Sequence, residues 1–399
     1  MFDQLFERPH ALARHRAGPL LTERITFLAH LADQGLPPTT LRITAQQLLV
    51  IANALGLASR PGETITRDEI KRKAAGNSVF FSIATRWLQF VGRLEQQSTA
   101  VSPYAMKIKA FADYMEHERG LALATIRGRC WLIPRFLKGL GTAGSSLREI
   151  TPHRIDVALQ EMLSPGGYSR VSIRGWASIL RAFFRYAETR GWCRKGLAAS
   201  IRGPHVFAQT SLPTGPSWDD VRRLLAMTEG NRRSDIRARA ILMLLAIYGL
   251  RAAEVKHLRL DDFDWERELL TVTVSKTRRI RSYPLTRSVG DAVLRYLQEV
   301  RPHSSHRELF LTLHAPARPL CNVWDIVAKR LRSLNVSLPH HGPHALRHAC
   351  AARLLAQGLS LKEIGDHLGH SDPDATRIYA KVDLRGLRQV ADLDLGGLL

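Results

Sequence analysis

The chain has 399 residues, 45% of them hydrophobic and 24% charged, enough for two to four domains of roughly 100–200 residues and too apolar for global disorder. Its 58 Lys and Arg against 36 Asp and Glu give a formal charge of +22, which points to a polyanionic partner, nucleic acid before an acidic membrane. No apolar run reaches the roughly 18 residues of a membrane span, and the N-terminus lacks a signal-peptide layout. The four cysteines (Cys130, Cys193, Cys321, Cys350) form no C-x-x-C pair. A cytoplasmic protein without a disulfide framework or a cysteine zinc site is therefore expected.

Two seams rich in Pro, Gly and small polar residues, at 96–103 and 203–216, divide the chain. The excess charge is +4 over 1–98 (12 basic, 8 acidic), +10 over 99–205 (17 and 7) and +8 over 206–399 (29 and 21), so the middle segment is the most basic per residue. In the first segment helices are predicted over 21–32, 41–55 and 66–75, the last opened by the capping box Thr66-Arg67-Asp68-Glu69. Trp87, Leu88 and Val91 mark a fourth.

The middle segment reads as a helical bundle. Met106, Phe111, Tyr114 and Met115 recur at helical spacing, as do Ile126, Trp131, Ile133, Phe136 and Leu137, and then Ile173, Trp176, Leu180, Phe183 and Phe184. Arg127, Arg129, Arg170, Arg174, Arg181 and Arg185 interleave with these stripes. Singly each is an ordinary surface cation; together they suit a phosphate backbone.

The third segment opens with the capping box Ser217-Trp218-Asp219-Asp220 and a strongly apolar helix over 235–248. The period then changes to two: Leu270, Val272 and Val274 alternate with Thr271, Thr273 and Ser275, and 280–285 can pair back as a hairpin. A helix opened by Ser360-Leu361-Lys362-Glu363 follows later. Four short stretches here carry residue types that make chemical sense together: Gly249-Leu250-Arg251 with Glu254, Lys276 at the hairpin tip, His344-Ala345-Leu346-Arg347-His348, and Leu368-Gly369-His370 followed by Tyr379.

Breaking a phosphodiester needs a nucleophile, cationic donors on the non-bridging oxygens and an acid for the leaving oxygen. Arginines offer forked permanent donors, histidines a donor or base near neutral pH, lysine a proton for an alkoxide. A tyrosine phenol becomes nucleophilic when cations stabilise its phenolate. The ester it forms can itself be attacked by a hydroxyl, so the backbone is broken and rejoined without an external energy source. His344 and His348 at i, i+4 lack the acidic partner of a zinc-binding H-E-x-x-H arrangement, and no metal is expected.

The ordered set Arg251, Lys276, His344-x-x-Arg347, His370, Tyr379, spaced by 25 residues from arginine to lysine, 23 from Arg347 to His370 and 9 from His370 to Tyr379, resembles the tyrosine recombinase (phage integrase) family. The resemblance covers 217–385 strongly and about 103–203 more weakly. It implies a mainly α multidomain fold: a helical N-terminal region, a helical core-binding (SAM-like) domain and a mixed α+β catalytic domain with a small antiparallel sheet. The boundaries expected are an additional helical domain of unassigned function over 1–98, a DNA clamp over 99–205, a linker over 206–216, the catalytic domain over 217–385 and a tail over 386–399.

By the same resemblance, Tyr379 would attack the scissile phosphate to give a 3′-phosphotyrosyl enzyme and a free 5′-hydroxyl. Arg251, Arg347 and His370 would hold the phosphate, Lys276 would protonate the 5′-oxygen, and His344 would act as base or donor. Glu254 would orient this framework, and His348 is a neighbour of open role. Arg278 and Arg279 at the hairpin would join the middle-segment arginines on DNA; the turn there, Thr277-Arg278-Arg279, lacks the glycine usual in relatives. No cofactor is implied. The partners implied are double-stranded recombination sites, a tetramer assembled on two of them, and accessory recombination proteins, with no membrane. The tail, with Leu387, Val390, Leu393 and Leu395, suits docking on a neighbouring protomer or packing on its own domain. A nucleoid-associated cytoplasmic enzyme serving a mobile element is expected, against three rivals: a type IB topoisomerase-like relaxing enzyme, a non-catalytic DNA-binding relative and a purely architectural basic protein.

Overall fold

The computed structural model describes residues 1–95, 103–140, 146–164, 167–207, 212–273, 279–370, 372, 374–383, 386 and 388. Two compact units emerge: Met1–Gly62, Lys73–Val91 and Gln209–Leu399 form one, Glu63–Arg72 and Gly92–Ala208 the other. Among the described residues no helix is long and apolar enough to cross a membrane.

In the smaller unit the main helices are Ala105–His117, Leu123–Gly139, Pro152–Glu161 and Arg170–Thr189. Their core gathers Phe111, Met115, Ile133, Phe136, Leu180, Phe183 and Phe184. The periodicity placed most of these correctly, but Met106 and Trp131, expected on the apolar stripes, are 80% and 56% exposed. Trp131 instead lies beneath the Arg135 guanidinium, 4.5 Å from its ring centroid, an arrangement worth having at a wet surface. The Pro152–Glu161 helix was not anticipated, although Thr151 caps it through the Arg154 amide and Pro152 occupies its first turn.

The larger unit contains five helices of the N-terminal region (Phe2–Leu5, Pro9–Ala17, Leu21–Asp33, Pro38–Ala54, Ser78–Phe90) and the third segment from Gln209 on. From Ala240 to Ala246 the Arg233–Ile247 helix is buried on every face, with Ile236 and Ala238 also covered, as expected of a stretch that is apolar all round. It packs against the Arg287–Glu299 and Pro343–Ala356 helices. Beside it lies a three-stranded antiparallel sheet, β1 (Phe263–Asp264), β2 (Leu269–Thr273) and β3 (Ile280–Pro284), in that order. The register pairs Leu270 with Phe263 on one side and Tyr283 on the other. The predicted β2–β3 pairing is present; β1 is an addition, too short to show a period. The capping boxes Ser217 with Asp220 and Ser360 with Glu363 form as read, and the Thr66 hydroxyl accepts from the Glu69 amide (3.0 Å) at the start of the Arg67–Ala74 helix.

Candidate active site

Two helices in the larger unit end at glycines in the left-handed region. The Arg233–Ile247 helix runs out through Tyr248 into Gly249 (φ +60°), and the Leu361–Leu368 helix ends on Gly369 (φ +66°). Such an end leaves backbone carbonyls without helical partners. Here those carbonyls hold the two arginines. Arg347 donates from Nη1 to the Gly249 carbonyl (2.5 Å) and from Nη2 to the Leu368 carbonyl (2.8 Å), and Arg251 donates from Nη2 to the Gly369 carbonyl (3.1 Å). Cations are favoured at helix C-termini, so each arginine is seated where the fold already supplies negative potential.

Gly249 has no alternative at this point. A Cβ there would be held in the left-handed region and would lie 2.4 Å from Leu368 Cδ2, so a side chain would be strained and would force the Leu368 side chain to shift.

Glu254, 2% exposed, locks the arrangement. It accepts from the Arg251 backbone amide (2.8 Å) and from Arg251 Nη1 (2.9 Å), and forms an ion pair with Arg281 Nη2 (3.0 Å). Arg281 also donates from Nη1 to the His367 carbonyl (3.0 Å) and to the Tyr283 hydroxyl, while Tyr283 donates to the same carbonyl (2.6 Å). Burial raises the Tyr283 pKa to about 12. Sequence reasoning missed Arg281, Tyr283 and His367. The signal was present for the first two: period-two alternation on β3 puts Arg281 on the face of the buried Tyr283, and leaves Ile280 outside, 69% exposed.

The Pro343–Ala356 helix contributes His344, Arg347 and His348. Arg347 is 1% exposed, and burial, then the charge of Arg251, brings its pKa down to about 10. His344 is exposed, yet desolvation, then Arg347 and Arg251, lower its pKa. His348 is half-buried and stands edge to face with His344, ring centroids 4.5 Å apart. His370 is tied through Nδ1 to the Thr376 hydroxyl (2.6 Å), and burial followed by Arg347 pushes its pKa down to about 4.

Tyr379 sits in a 3₁₀ turn, Ile378–Val382, 2% exposed among Cys350, Ala351, Ile364 and Leu368. Burial raises its pKa to about 12 against the lowering influence of Arg347. Its hydroxyl lies 3.0 Å from Nδ1 of His348. The histidine beside the tyrosine oxygen is thus His348, whose part the sequence left open. Arg251, His344, Arg347 and His348 line a cleft of about 1030 Å³, together with Trp324 and Arg332.

Lys276 and Arg278 lie outside the described residues. Arg279 is exposed next to β3. Among the described residues no group of three or more His, Cys, Asp or Glu side chains is placed to hold a metal ion. Of the middle-segment arginines, Arg170, Arg174, Arg181 and Arg185 fall within a sector of roughly 60° on one helix at 100° per residue. Arg181 is half-buried and the other three exposed, with Arg174 also reaching the Val206 carbonyl. Arg127 is exposed, whereas Arg129 turns back onto the Met115 sulfur at 3.6 Å.

Residues 217–385 match the family model for the phage integrase family, and residues 108–191 that for the phage integrase N-terminal SAM-like domain. The protein y4rA of Sinorhizobium fredii, named an integrase/recombinase, is 31% identical over 399 residues, 96% of each chain. The tyrosine recombinase XerA of Thermococcus kodakarensis is 30% identical over 294 residues, 71% of this chain and 94% of its own. The chain belongs to the phage integrase family of tyrosine recombinases. It is therefore a site-specific recombinase, an enzyme that cuts and rejoins DNA, and not the relaxing enzyme or the non-catalytic relative kept as rivals. Solved structures share the recombinase's fold. The Tn1549 transposon integrase in complex with circular intermediate DNA superposes with a TM-score of 0.55 at 18% identity, over 72% of this chain and 99% of that one. The lambda integrase dimer bound to a COC′ core site gives 0.54 at 18%, over 69% and 94%.

Proposed function

We propose that this recombinase breaks each strand through a 3′-phosphotyrosyl intermediate, with Tyr379 as nucleophile. The observation that carries the reading is the seating of Arg251 and Arg347 on the carbonyls of two helix ends, near enough to His370 to lower its pKa, and the packing of Tyr379 against the helix that bears Arg347. A phosphodiester in the cleft would meet remaining N–H groups of both guanidinium forks, with His370 and His344 as further donors. The Tyr379 oxygen then bonds to phosphorus, the bond from phosphorus to the 5′-oxygen breaks, and Lys276 supplies the proton that oxygen needs. Attack of a 5′-hydroxyl from the partner duplex reverses each step and returns the tyrosine.

The wider reading keeps the domain limits drawn from the sequence: 1–98 as an additional helical domain, 99–205 as a DNA clamp, 206–216 as a linker, 217–385 as the catalytic domain and 386–399 as a tail. Duplex DNA is the partner, gripped by Arg127, Arg129, Arg170, Arg174, Arg181, Arg185, Arg278 and Arg279, and the enzyme assembles as a tetramer on two sites in the cytoplasm, with accessory recombination proteins. Solved relatives bound to DNA support the partner, and the Tn1549 transposon integrase supports service to a mobile element.

The test is covalent capture. Wild-type protein incubated with a library of nicked, randomised duplexes should yield a covalent protein–DNA species, and Tyr379→Phe should yield none; an adduct persisting in that variant excludes Tyr379. Arg251→Ala should lose roughly 2–4 kcal/mol of transition-state stabilisation, the cost of a lost oxyanion donor, while still binding duplex.

A further inference from the structure

We propose that His348 is a catalytic residue: it accepts the Tyr379 proton as the tyrosine oxygen bonds to phosphorus and returns it when the phosphotyrosyl ester is broken. The inference rests on the reading of Tyr379 as nucleophile.

Three observations support it. First, Nδ1 of His348 lies 3.0 Å from the Tyr379 hydroxyl, within the reach a general base requires. Second, the two rings meet edge to face, centroids 5.7 Å apart and planes at 62°, with Tyr379 packed among Cys350, Ala351, Ile364 and Leu368. Third, His348 follows Arg347 on one helix and lines the same cleft, so the proton acceptor and a phosphate donor move as one rigid element.

The charge environment sets how the proton moves. His348 faces His344 and Arg347 on its own helix and His340 just before it, with Tyr379 opposite, and burial followed by these neighbours pushes its pKa down to about 4. At neutral pH its ring is uncharged and Nδ1 can accept the phenol hydrogen. Free transfer from a phenol whose pKa is raised to an imidazole whose pKa is lowered is strongly unfavourable. The proton therefore leaves with bond formation, when esterification removes the oxygen's affinity for it. The balance is complete: the tyrosine O–H bond breaks and an O–P bond forms, His348 gains a proton, and the leaving 5′-oxygen takes one from Lys276.

The hydrogen bond described at the tyrosine oxygen involves His348 and not His344.

The experiment uses the full-length protein and a nicked duplex recovered by wild-type covalent capture from a randomised library. Single-turnover adduct formation at saturating DNA is compared for wild type, His348→Gln, His348→Phe and His348→Ala, each checked by its melting temperature and by its affinity for the same duplex. The rate should fall roughly 10²–10³-fold in His348→Phe, and nearly as far in His348→Gln, which accepts a hydrogen bond and has no basicity. Duplex affinity should stay within twofold, and added imidazole should restore part of the His348→Ala rate. A second substrate with sulfur at the 5′-bridging position supplies a leaving group that needs no acid; the His348 defect should persist on it, whereas a Lys276→Ala defect should largely vanish. Adduct formation by His348→Gln within threefold of wild type, or faster than wild type, would overturn the proposal, because the hydrogen bond would then only hold the tyrosine. An adduct persisting in Tyr379→Phe would instead remove the nucleophile assignment on which the proposal rests.

Discussion

Glu254→Gln is the perturbation with the most consequences for this site, because one buried carboxylate serves two arginines. Its oxygens accept from the Arg251 amide and Nη1 at 2.8 and 2.9 Å and face Arg281 Nη2 at 3.0 Å, and its side chain is fully covered. Glutamine keeps the volume but removes the only acidic charge described among Arg251, Arg281 and Arg347. Breaking a buried pair by neutralising one partner typically costs about 3–5 kcal/mol, since the surviving charge stays buried. At ~2–4 °C per kcal/mol for a unit of this size, the melting temperature should fall by roughly 6–20 °C. The extra positive charge runs the other way for DNA, so affinity at low salt should hold or rise. Cleavage should still drop about 10²–10³-fold, the effect of misdirecting one donor on the developing charge. Thermal melting, a salt titration of binding and single-turnover cleavage measure the three effects. If Glu254→Gln melts within 2 °C of wild type and cleaves within threefold, the carboxylate does not hold Arg251 and the account of the framework is wrong.

Other outcomes follow from the same geometry. Gly249→Ala forces a side chain into the left-handed region and to within 2.4 Å of Leu368 Cδ2; a loss of at least about 2 kcal/mol in denaturant unfolding is expected, with loss of cleavage, because the Gly249 carbonyl seats Arg347. Acid should destabilise the protein: His348 and His370 hold pKa values near 4 in the fold against an ordinary 6.5. Between those values the unfolded chain takes up protons that the folded chain refuses. Stability should therefore be independent of these groups above pH 6.5 and fall progressively towards pH 4, and His370→Gln should flatten the slope of melting temperature against pH. Arg127→Ala and Arg185→Ala, both at exposed positions, should each reduce the slope of log affinity against log salt by about 0.9 if each neutralises one phosphate; an unchanged slope would remove that residue from the DNA interface.

How much of this was legible in the sequence depends on the range of the interactions involved. The Arg233–Ile247 helix, the capping boxes at Ser217 and Ser360 and the β2–β3 pairing are local patterns, and each was readable. Met106 and Trp131 went wrong because periodicity identifies an apolar stripe without saying what neighbour covers it. The family resemblance supplied the order of Arg251, Arg347, His370 and Tyr379, but the contacts that seat them bridge 118 residues from Arg251 to Gly369 and 98 from Arg347 to Gly249. Their acceptors are main-chain carbonyls, which carry no sequence signature beyond the glycines that end two helices. Arg281 was readable in principle from strand alternation, yet its carboxylate partner is on another element. His348 stood one position from Arg347 in plain view; only the packing of the 3₁₀ turn onto the Pro343–Ala356 helix reveals that it faces Tyr379.

Three arginines gather around one carboxylate, and the same cations that would receive a phosphate depress the histidines: Arg347 contributes to the lowering at His344, His348 and His370 alike. A phosphodiester brings a negative charge to that spot and offsets this influence, so each histidine becomes more basic as substrate binds. The arginines need no rearrangement to receive it, because backbone carbonyls fixed their orientation during folding. Tyr379 is a buried phenol with its pKa near 12 beside an imidazole too weak to deprotonate it. Once the phosphate is in place, the acceptor strengthens and the phenolate gains cationic support from the same event. With Tyr379 as the proposed nucleophile, its activation would be tied to a phosphate reaching Arg251 and Arg347.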